Sequence, residues 1–363
     1  MPKVLLGDVA TERKETYKVS KAGYPIVGLE HLIPEEITLT AWSEDSENTF
    51  SKMFHKGDVL FGRRRAYLKK AAVAPFDGIC SGDITVIQAK PEKIIPELLP
   101  FIIQNDTLFD FAVGKSAGSL SPRVKWQHLK NYEFELPDMD KQRKLAELLW
   151  AMDATKKSYQ ELITATDELV KSQFMEQFGG PFCEDKYRTE PLKMNATLLN
   201  GRAYKQEELL LEGKFPVLRV GNFFSNESWY YSDLELEEDK YCDDGDLLYA
   251  WSASFGPKIW DGGKVIYHYH IWKVILGKAY DKEFLCKLLE YASEILRSQT
   301  HGITMMHLTK TGMENTRFIV PPKETQEQFV AFVRQSDKSK FELEQALSEL
   351  TATYKSIIAE NLG

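Results

Sequence analysis

The sequence predicts an α+β chain in which two β-rich mixed α/β domains are joined by two long antiparallel helices forming a coiled coil, with pseudo-twofold symmetry. Three observations predict it. Ser116 to Leu145 and Thr300 to Phe329 align without a gap, placing Gly118 on Gly302, Pro137 on Pro321 and Gln142 on Gln326. Each segment runs into a charged stretch free of Pro and Gly that closes on a glycine, Gly179 in one copy and Gly363 in the other. Upstream, Tyr24-Pro25-Ile26-Val27 answers Phe215-Pro216-Val217-Leu218, and Lys56 to Phe61 (KGDVLF) answers Asp244 to Tyr249 (DGDLLY). A period this long makes each copy a domain in its own right rather than a solenoid turn. The implied domains are 1–137 and 181–322, with a central helix over 138–180 and a C-terminal helix over 323–363. The opening LLGDVA, Leu5 to Ala10, has only a faint counterpart near Leu192 to Leu198.

Composition agrees with that division. A chain of 363 residues, 43% hydrophobic and 28% charged, exceeds what one core usually serves and has ordinary globular character. The start MPKVLLGDVA lacks a basic region followed by an apolar run. The most apolar stretch, Ile94 to Ile103, is short and broken by Pro96 and Pro100. Neither a signal peptide nor a membrane span is expected, and the expected location is cytoplasmic. Cys80, Cys183, Cys242 and Cys286 stand singly, which encodes neither a disulfide framework nor a zinc site and leaves free, buried thiols as the expectation.

The helices follow from periodicity. Leu145, Leu148, Met152, Tyr159, Leu162 and Leu169 form a heptad-like stripe in the first, and Phe329, Phe332, Leu343, Leu350 and Ile357 form one in the second. Pro137 precedes the first helix and Pro321-Pro322 the second, as at a turn from extended chain into helix. About 40 residues span roughly 60 Å. The link from Phe178 to the second domain, at Pro191 to Leu199, is about ten residues at roughly 3.5 Å each, too short to return along the helix. The second helix should therefore run antiparallel to the first, presenting two domains in inverted orientation.

A ligand with two inverted sites far apart is most simply duplex DNA. Gly62 to Lys70 (GRRRAYLKK) packs Arg63, Arg64, Arg65, Lys69 and Lys70 around Tyr67, just after a strand. Arginine is the side chain best shaped to hold phosphate or read guanine; a solvated basic face is the plainer alternative. At the matching place the second copy has Trp251, Ser252, Ser254, Phe255 and Lys258, which favour hydrogen bonding and apolar contact. The polar loops Ser119 to Lys125 and Thr304 to Lys310 add Ser121, Arg123, Lys125, Thr304, His307 and Lys310 as secondary candidates, turn structure being the alternative. His268 and His270 alternate in an expected strand, but no third ligand is spaced for a metal, so local hydrogen bonding is the simpler reading. Asp58 and Asp246 in the paired Gly-Asp motifs are expected to shape turns.

Two further facts shape the reading. No phosphate loop, HExxH or GxSxG occurs, and no amino-methyltransferase signature, so a binder without catalysis is expected. The net charge of -8 opposes unaided DNA binding, since phosphate neutralisation supplies most non-specific affinity; a partner would have to supply the positive field.

Two variable units, each holding a Gly-Asp-hydrophobic strand and each closing in a Pro-x-x-x-x-Gln (Pro137 with Gln142, Pro321 with Gln326) ahead of a long helix, resemble the specificity subunit of type I restriction-modification systems. The resemblance covers nearly the whole chain. It implies two target-recognition domains, each reading one half of a bipartite DNA sequence, with the helices setting the unread gap. It also implies docking of two methyltransferase subunits that bring S-adenosylmethionine and the chemistry, with restriction subunits able to join; this chain would hold no cofactor and no metal. The rival from another class is a scaffold carrying two protein- or glycan-binding modules on a coiled-coil spacer.

Overall fold

A computed structural model describes residues 2–17, 21, 23–44, 47–224, 228–252, 255–298 and 309–362. The fold divides into two compact units, Met1–Glu161 with Leu343–Gly363, and Leu162–Glu342. The sequence-based boundaries separated domains from helices. The units instead each take a portion of both long helices, because each globular part completes its core with them.

The first unit contains β1 (Lys3–Leu5), α1 (Leu6–Val9), β2 (Ala10–Glu12), β3 (Ile26–Val27), β4 (Lys52–Phe54), β5 (Val59–Gly62), β6 (Ala71–Val73), β7 (Gly78–Cys80) and β8 (Ile84–Ala89). It continues through α2 (Leu99–Ile103), α3 (Asp106–Gly114), α4 (Trp126–Leu129) and β9 (Glu133–Glu135) into the long helix α5 (Met139–Phe178). Its sheets run β2-β8-β5-β6, β3-β7-β4 and β1-β9, with β3 and β7 parallel.

The second unit contains β10 (Thr189–Pro191), β11 (Ala196–Asn200), β12 (Phe215–Leu218), α6 (Val220–Phe224), β13 (Tyr230–Ser232), β14 (Tyr241–Cys242), β15 (Leu247–Ala250), β16 (Gly256–Ile259), β17 (Val265–Tyr267) and β18 (Ile271–Leu276). Then come α7 (Lys282–Ser298), α8 (Lys310–Asn315), β19 (Arg317–Ile319) and the long helix α9 (Lys323–Leu362). Its sheets run β11-β18-β15-β16, β13-β12-β17-β14 and β10-β19, with β12 and β17 parallel. Apart from the added edge strand β13, the two units match strand for strand. The faint likeness at Leu192 to Leu198 is real at this level, since β11 takes the place of β2.

The central strands show why these sequences fold so. Successive residues of a strand face opposite sides. Val59 and Phe61 of β5 enter the core shared with α2 and α3, while Leu60 enters a second core with Val27 and Phe54. Leu247 and Tyr249 of β15 likewise face the helical core, and Leu248 and Ala250 the other. A strand buried on both faces must be an unbroken apolar run, which VLF and LLYA are.

The Gly-Asp pairs make the turn into these strands. Gly57 and Gly245 have φ of 90° and 87°, a conformation other residues resist. Asp58 accepts from the His55 amide at 2.8 Å and Asp246 from the Asp243 amide at 2.9 Å. Arg13 grips the Asp58 carboxylate at 2.6 and 3.1 Å, and Lys273 holds Asp246 at 2.6 Å. Both aspartates are thus turn residues with a cation partner. Beside the first turn, the His55 ring bridges Asp77 at 2.9 Å and Glu15 at 3.0 Å, and these hydrogen bonds raise its pKa, Asp77 more than Glu15. A raised folded-state pKa adds stability that is complete below the ordinary histidine value of about 6.5 and is lost as pH rises through the folded value. Between pH 6 and 8.5 the melting temperature should fall further for the wild type than for His55→Gln; equal falls in thermal circular dichroism would remove the bridge from the account.

The shared Pro-x-x-x-x-Gln is a structural staple. Gln142 is buried, accepts from the Ile95 amide at 2.9 Å and donates to the Pro137 carbonyl at 2.8 Å. Gln326 is fully buried, accepts from the Asp281 amide at 2.8 Å and donates to the carbonyls of Pro321 and Ala279, both at 2.8 Å. Each ties the entry of a long helix to the helical segment packed beside it. Gln326→Leu strands one amide and two carbonyls, so a loss of about 3 kcal/mol is expected in urea unfolding.

Helix α5 opens on Asp138, whose carboxylate accepts from the Lys141 amide at 3.0 Å, and closes on Gly179 at φ 76°. In the first unit, Leu145 and Leu149 of α5 share a core with Ile358 and Leu362 of α9, and Trp150 and Tyr354 both pack against Phe101. In the second, Phe174 and Phe178 pack against Phe329 at 5.5 and 5.4 Å between ring centres, and Asp167 pairs with Lys340 at 2.7 Å. Within each unit the partner on α9 comes earlier as α5 advances, so the segments pair antiparallel.

The seam differs in part from the sequence-based stripe. Leu145, Met152 and Phe329 are buried and Tyr159, Phe332, Leu343, Leu350 and Ile357 half-buried, but Leu148, Leu162 and Leu169 are 47%, 51% and 54% exposed. Leu149, Val170, Phe174 and Phe178 face inward instead. Met152 and Val170 lie 18 residues apart, five turns at about 3.6 residues, whereas a seven-residue repeat drifts around a straight helix by about 20° per heptad.

Candidate nucleic-acid interface

The first unit brings two separately predicted loops into one surface. The residues after β5 run beside the segment before α4: Arg64 bridges Arg123, the Val124 amide donates to the Arg63 carbonyl at 3.0 Å, and the Arg65 amide donates to Pro122 at 2.9 Å. Arg64 Nε donates to Ser121 Oγ at 2.9 Å. Arg123 grips Asp83 through two bonds of 2.7 and 3.2 Å, with Arg64 Nη1 at 3.6 Å from the same carboxylate. That grip, followed by the nearby charges of Arg64 and Arg63, holds the Asp83 carboxyl below its ordinary range. One carboxylate thus orients two half-exposed guanidinium groups while the surface stays positive.

The other cations here fall into two kinds. Arg65 sits at φ 55°, is exposed, and has no side-chain partner among the described residues. The buried Arg63 Nε also has no partner among them. Tyr67 is 55% exposed beside them and Lys125 is exposed at the start of α4. By contrast Lys69 pairs with Asp106 at 2.6 Å and Lys70 donates to the Leu29 carbonyl at 2.8 Å. Those two lysines hold the loop down.

The second unit repeats the frame with different side chains. The Arg63 amide donates to the Asp83 carbonyl at 3.0 Å, and the Trp251 amide donates to the His270 carbonyl at 3.0 Å. Trp251 therefore stands where Arg63 does, and the turn His268-Tyr269-His270 where Ser81-Gly82-Asp83 does. The Trp251 indole donates to the Tyr269 carbonyl at 2.8 Å and stacks on Trp272 with ring centres 5.7 Å apart. Ser252 is buried. The strand expected through His270 ends at Tyr267, since His268–His270 form the turn into β18 and are not two positions on one strand face. The described residues hold no cluster suited to a metal ion.

The other candidates of this unit lie in different surroundings. Lys258 pairs with Asp261 at 3.0 Å and lies on a cavity of about 460 Å³ that also presents Glu283, Glu290, Glu294 and Asp337. So acidic a setting disfavours phosphate at Lys258. Lys310 opens α8, where it pairs with Glu314 at 3.7 Å. Ser254, Thr304 and His307 lie outside the described residues.

Sequence reasoning missed the place of Asp83 and the turn at His268–His270. The signal was present: Gly78 to Ile84 (GICSGDI) aligns without a gap on Val265 to Ile271 (VIYHYHI), apolar residues flanking the three that change. The thiols of Cys80, Cys242 and Cys286 are pushed up to about 12 by burial, so they stay protonated.

The family model of the type I restriction modification DNA specificity domain matches residues 3–165 and 194–351, one match in each repeat. The chain belongs to this family. Among curated members, it is 24% identical over 141 residues to the specificity subunit of the type I restriction enzyme EcoDI of Escherichia coli, covering 38% of this chain and 31% of that one. It is also 24% identical over 171 residues to the EcoBI specificity subunit of Escherichia coli, covering 45% and 36%. The chain thus matches about a third of the length of these relatives. A chain solved in work on assembly and conformational transition of a type I restriction-modification system has a TM-score of 0.58 at 18% identity, covering 99% of this chain and 97% of that one. The type I specificity subunit of M. genitalium has a TM-score of 0.57 at 12% identity, covering 98% and 94%. At these identities the two structures speak for the fold. Among the described residues no helix is long and apolar enough to cross a membrane.

Proposed function

We propose that this chain is the DNA-reading subunit of a type I restriction-modification complex. Each globular part reads one half of a bipartite duplex target. The long helices set the unread gap and dock two methyltransferase subunits, which bring S-adenosylmethionine and the chemistry; restriction subunits join the same assembly. The chain itself is non-catalytic and holds neither cofactor nor metal.

The observation that carries this reading is the matched frame with unmatched side chains. Apart from β13, the strand order is the same in both units, as is the backbone bond closing the reading edge, yet one edge carries arginines and the other Trp251 with an imidazole-bearing turn. Two modules built alike and differing at one edge suit two different half-sites. The charge of -8 is accommodated when the methyltransferase subunits supply the positive field around the duplex.

The test is an electrophoretic shift of the chain assembled with its methyltransferase subunits. The assembly should retain a bipartite target and release duplexes in which either half is scrambled; equal retention of all three overturns the reading. In the same assay Arg65→Ala should weaken target binding by about 1 to 3 kcal/mol if its unpartnered guanidinium reads a base. Unchanged binding would remove Arg65 from the edge.

A further inference from the structure

We infer that Arg219 and the His268–His270 turn form a guanine-reading edge in the second unit, Arg219 addressing O6 and N7 of a guanine and His268 the N7 of an adjacent purine. This rests on the reading of the chain as a DNA-binding subunit. It goes further by naming the residues and the base.

The turn is held in place through its backbone. The Arg202 amide donates to the Tyr267 carbonyl and the Tyr269 amide to the Arg202 carbonyl, both at 3.0 Å. Gly201 permits this approach: a Cβ there would lie 2.3 Å from the Tyr267 carbonyl oxygen. Beside the turn opens a cleft of about 400 Å³ lined by Tyr204, Gln206, Arg219, His268 and His270.

Of the arginines near the turn, Arg219 lines this cleft and Arg202 does not. Arg202 is held by both oxygens of Glu208 at 2.7 and 2.8 Å. Arg219 meets no carboxylate among the described residues; its guanidinium lies over the Tyr230 ring, 5.0 Å from the centre. A cation–π contact on the guanidinium is compatible with its N–H edge meeting guanine O6 and N7.

His268 is set up as a donor. Its Nδ1 accepts from the His270 amide at 3.4 Å, which places the proton of the neutral ring on Nε2. Burial, with His270 and Arg219 nearby, lowers its pKa to about 4, so the ring is neutral at physiological pH. A neutral ring with Nδ1 occupied offers one N–H. The complementary base atom is an acceptor, and N7 is the acceptor common to both purines in the major groove.

The assembled complex, with methyltransferase subunits, is titrated with its bipartite target carrying 7-deazaguanine or 7-deazaadenine at single purines of the half-site read by the second unit. Removing N7 leaves base pairing intact. For the wild type, one 7-deazaguanine should weaken binding about 5- to 150-fold, the range for a good base contact. Arg219→Ala should lose that sensitivity, and His268→Ala should lose sensitivity to the 7-deazapurine beside it. Arg219→Lys keeps the charge but not the fork, so it should retain non-specific binding while losing guanine discrimination.

A wild-type complex that ignores 7-deazaguanine throughout that half-site overturns the inference. So does an Arg219→Ala complex that weakens equally on all sequences with a shallower salt dependence, since that marks a phosphate contact. Retained discrimination at the other half-site shows that the variants fold. A wild type that fails to discriminate any bipartite target fails instead on the function itself.

Discussion

Replacing residues 181–322 with the corresponding segment of another family member should change the bases modified at one half of the target and leave the other half as it was. Each globular part completes its cores with only the nearby portions of the long helices, so its attachment to them is local. Phe174 and Phe178 of α5 and Phe329 of α9 meet Phe284 of the replaced segment, and Gln326 meets the backbone of residues 279 and 281. A donor segment that supplies an aromatic at 284 and the same backbone path should dock on the retained helices. Sequencing of modified adenines in cells carrying the exchanged chain and its methyltransferase reads the outcome. A change in both halves would contradict independent reading edges.

The largest loss of stability is expected at Phe174. Its ring is fully buried and lies 4.8 Å from Tyr291, 5.0 Å from Phe178, 5.5 Å from Phe329 and 6.1 Å from Phe284, measured between ring centres. Truncation opens a cavity among groups that cannot close over it, since each also packs elsewhere. Phe174→Ala should cost about 4 kcal/mol in urea unfolding, with Phe174→Leu recovering part of it. Leu169→Ala, five residues earlier on the outer face, should stay within about 0.5 kcal/mol. Similar losses at both positions would mean that the inward face is the one the heptad stripe suggested.

That contrast shows where the sequence was legible. Two helices of the right extent followed from the lack of Pro and Gly, and their antiparallel pairing from the shortness of the link after Phe178. Their inward face did not follow, because a seven-residue repeat and the 3.6-residue turn separate over 40 residues. The basic run Arg63 to Lys70 was legible as a cluster. Lys69 and Lys70 could not be told from Arg65 by charge alone, since the carboxylate and carbonyl that engage the lysines, Asp106 and Leu29, lie far away in sequence.

By itself the sequence determined what repeats: the duplicated frame, the Gly-Asp turns, the Pro-x-x-x-x-Gln staples and the two helices. These are local patterns, set by backbone conformation and by the spacing of apolar residues, so a single chain displays them. Only the tertiary structure decided which polar groups remain available. It joined Arg64 to Arg123 across Asp83, set Lys258 among carboxylates, and placed Arg219 over the Tyr230 ring, with no carboxylate partner among the described residues, while Glu208 closed on Arg202. The availability of a charge depends on what the fold brings within hydrogen-bonding distance of it, and most of those partners come from distant parts of the chain.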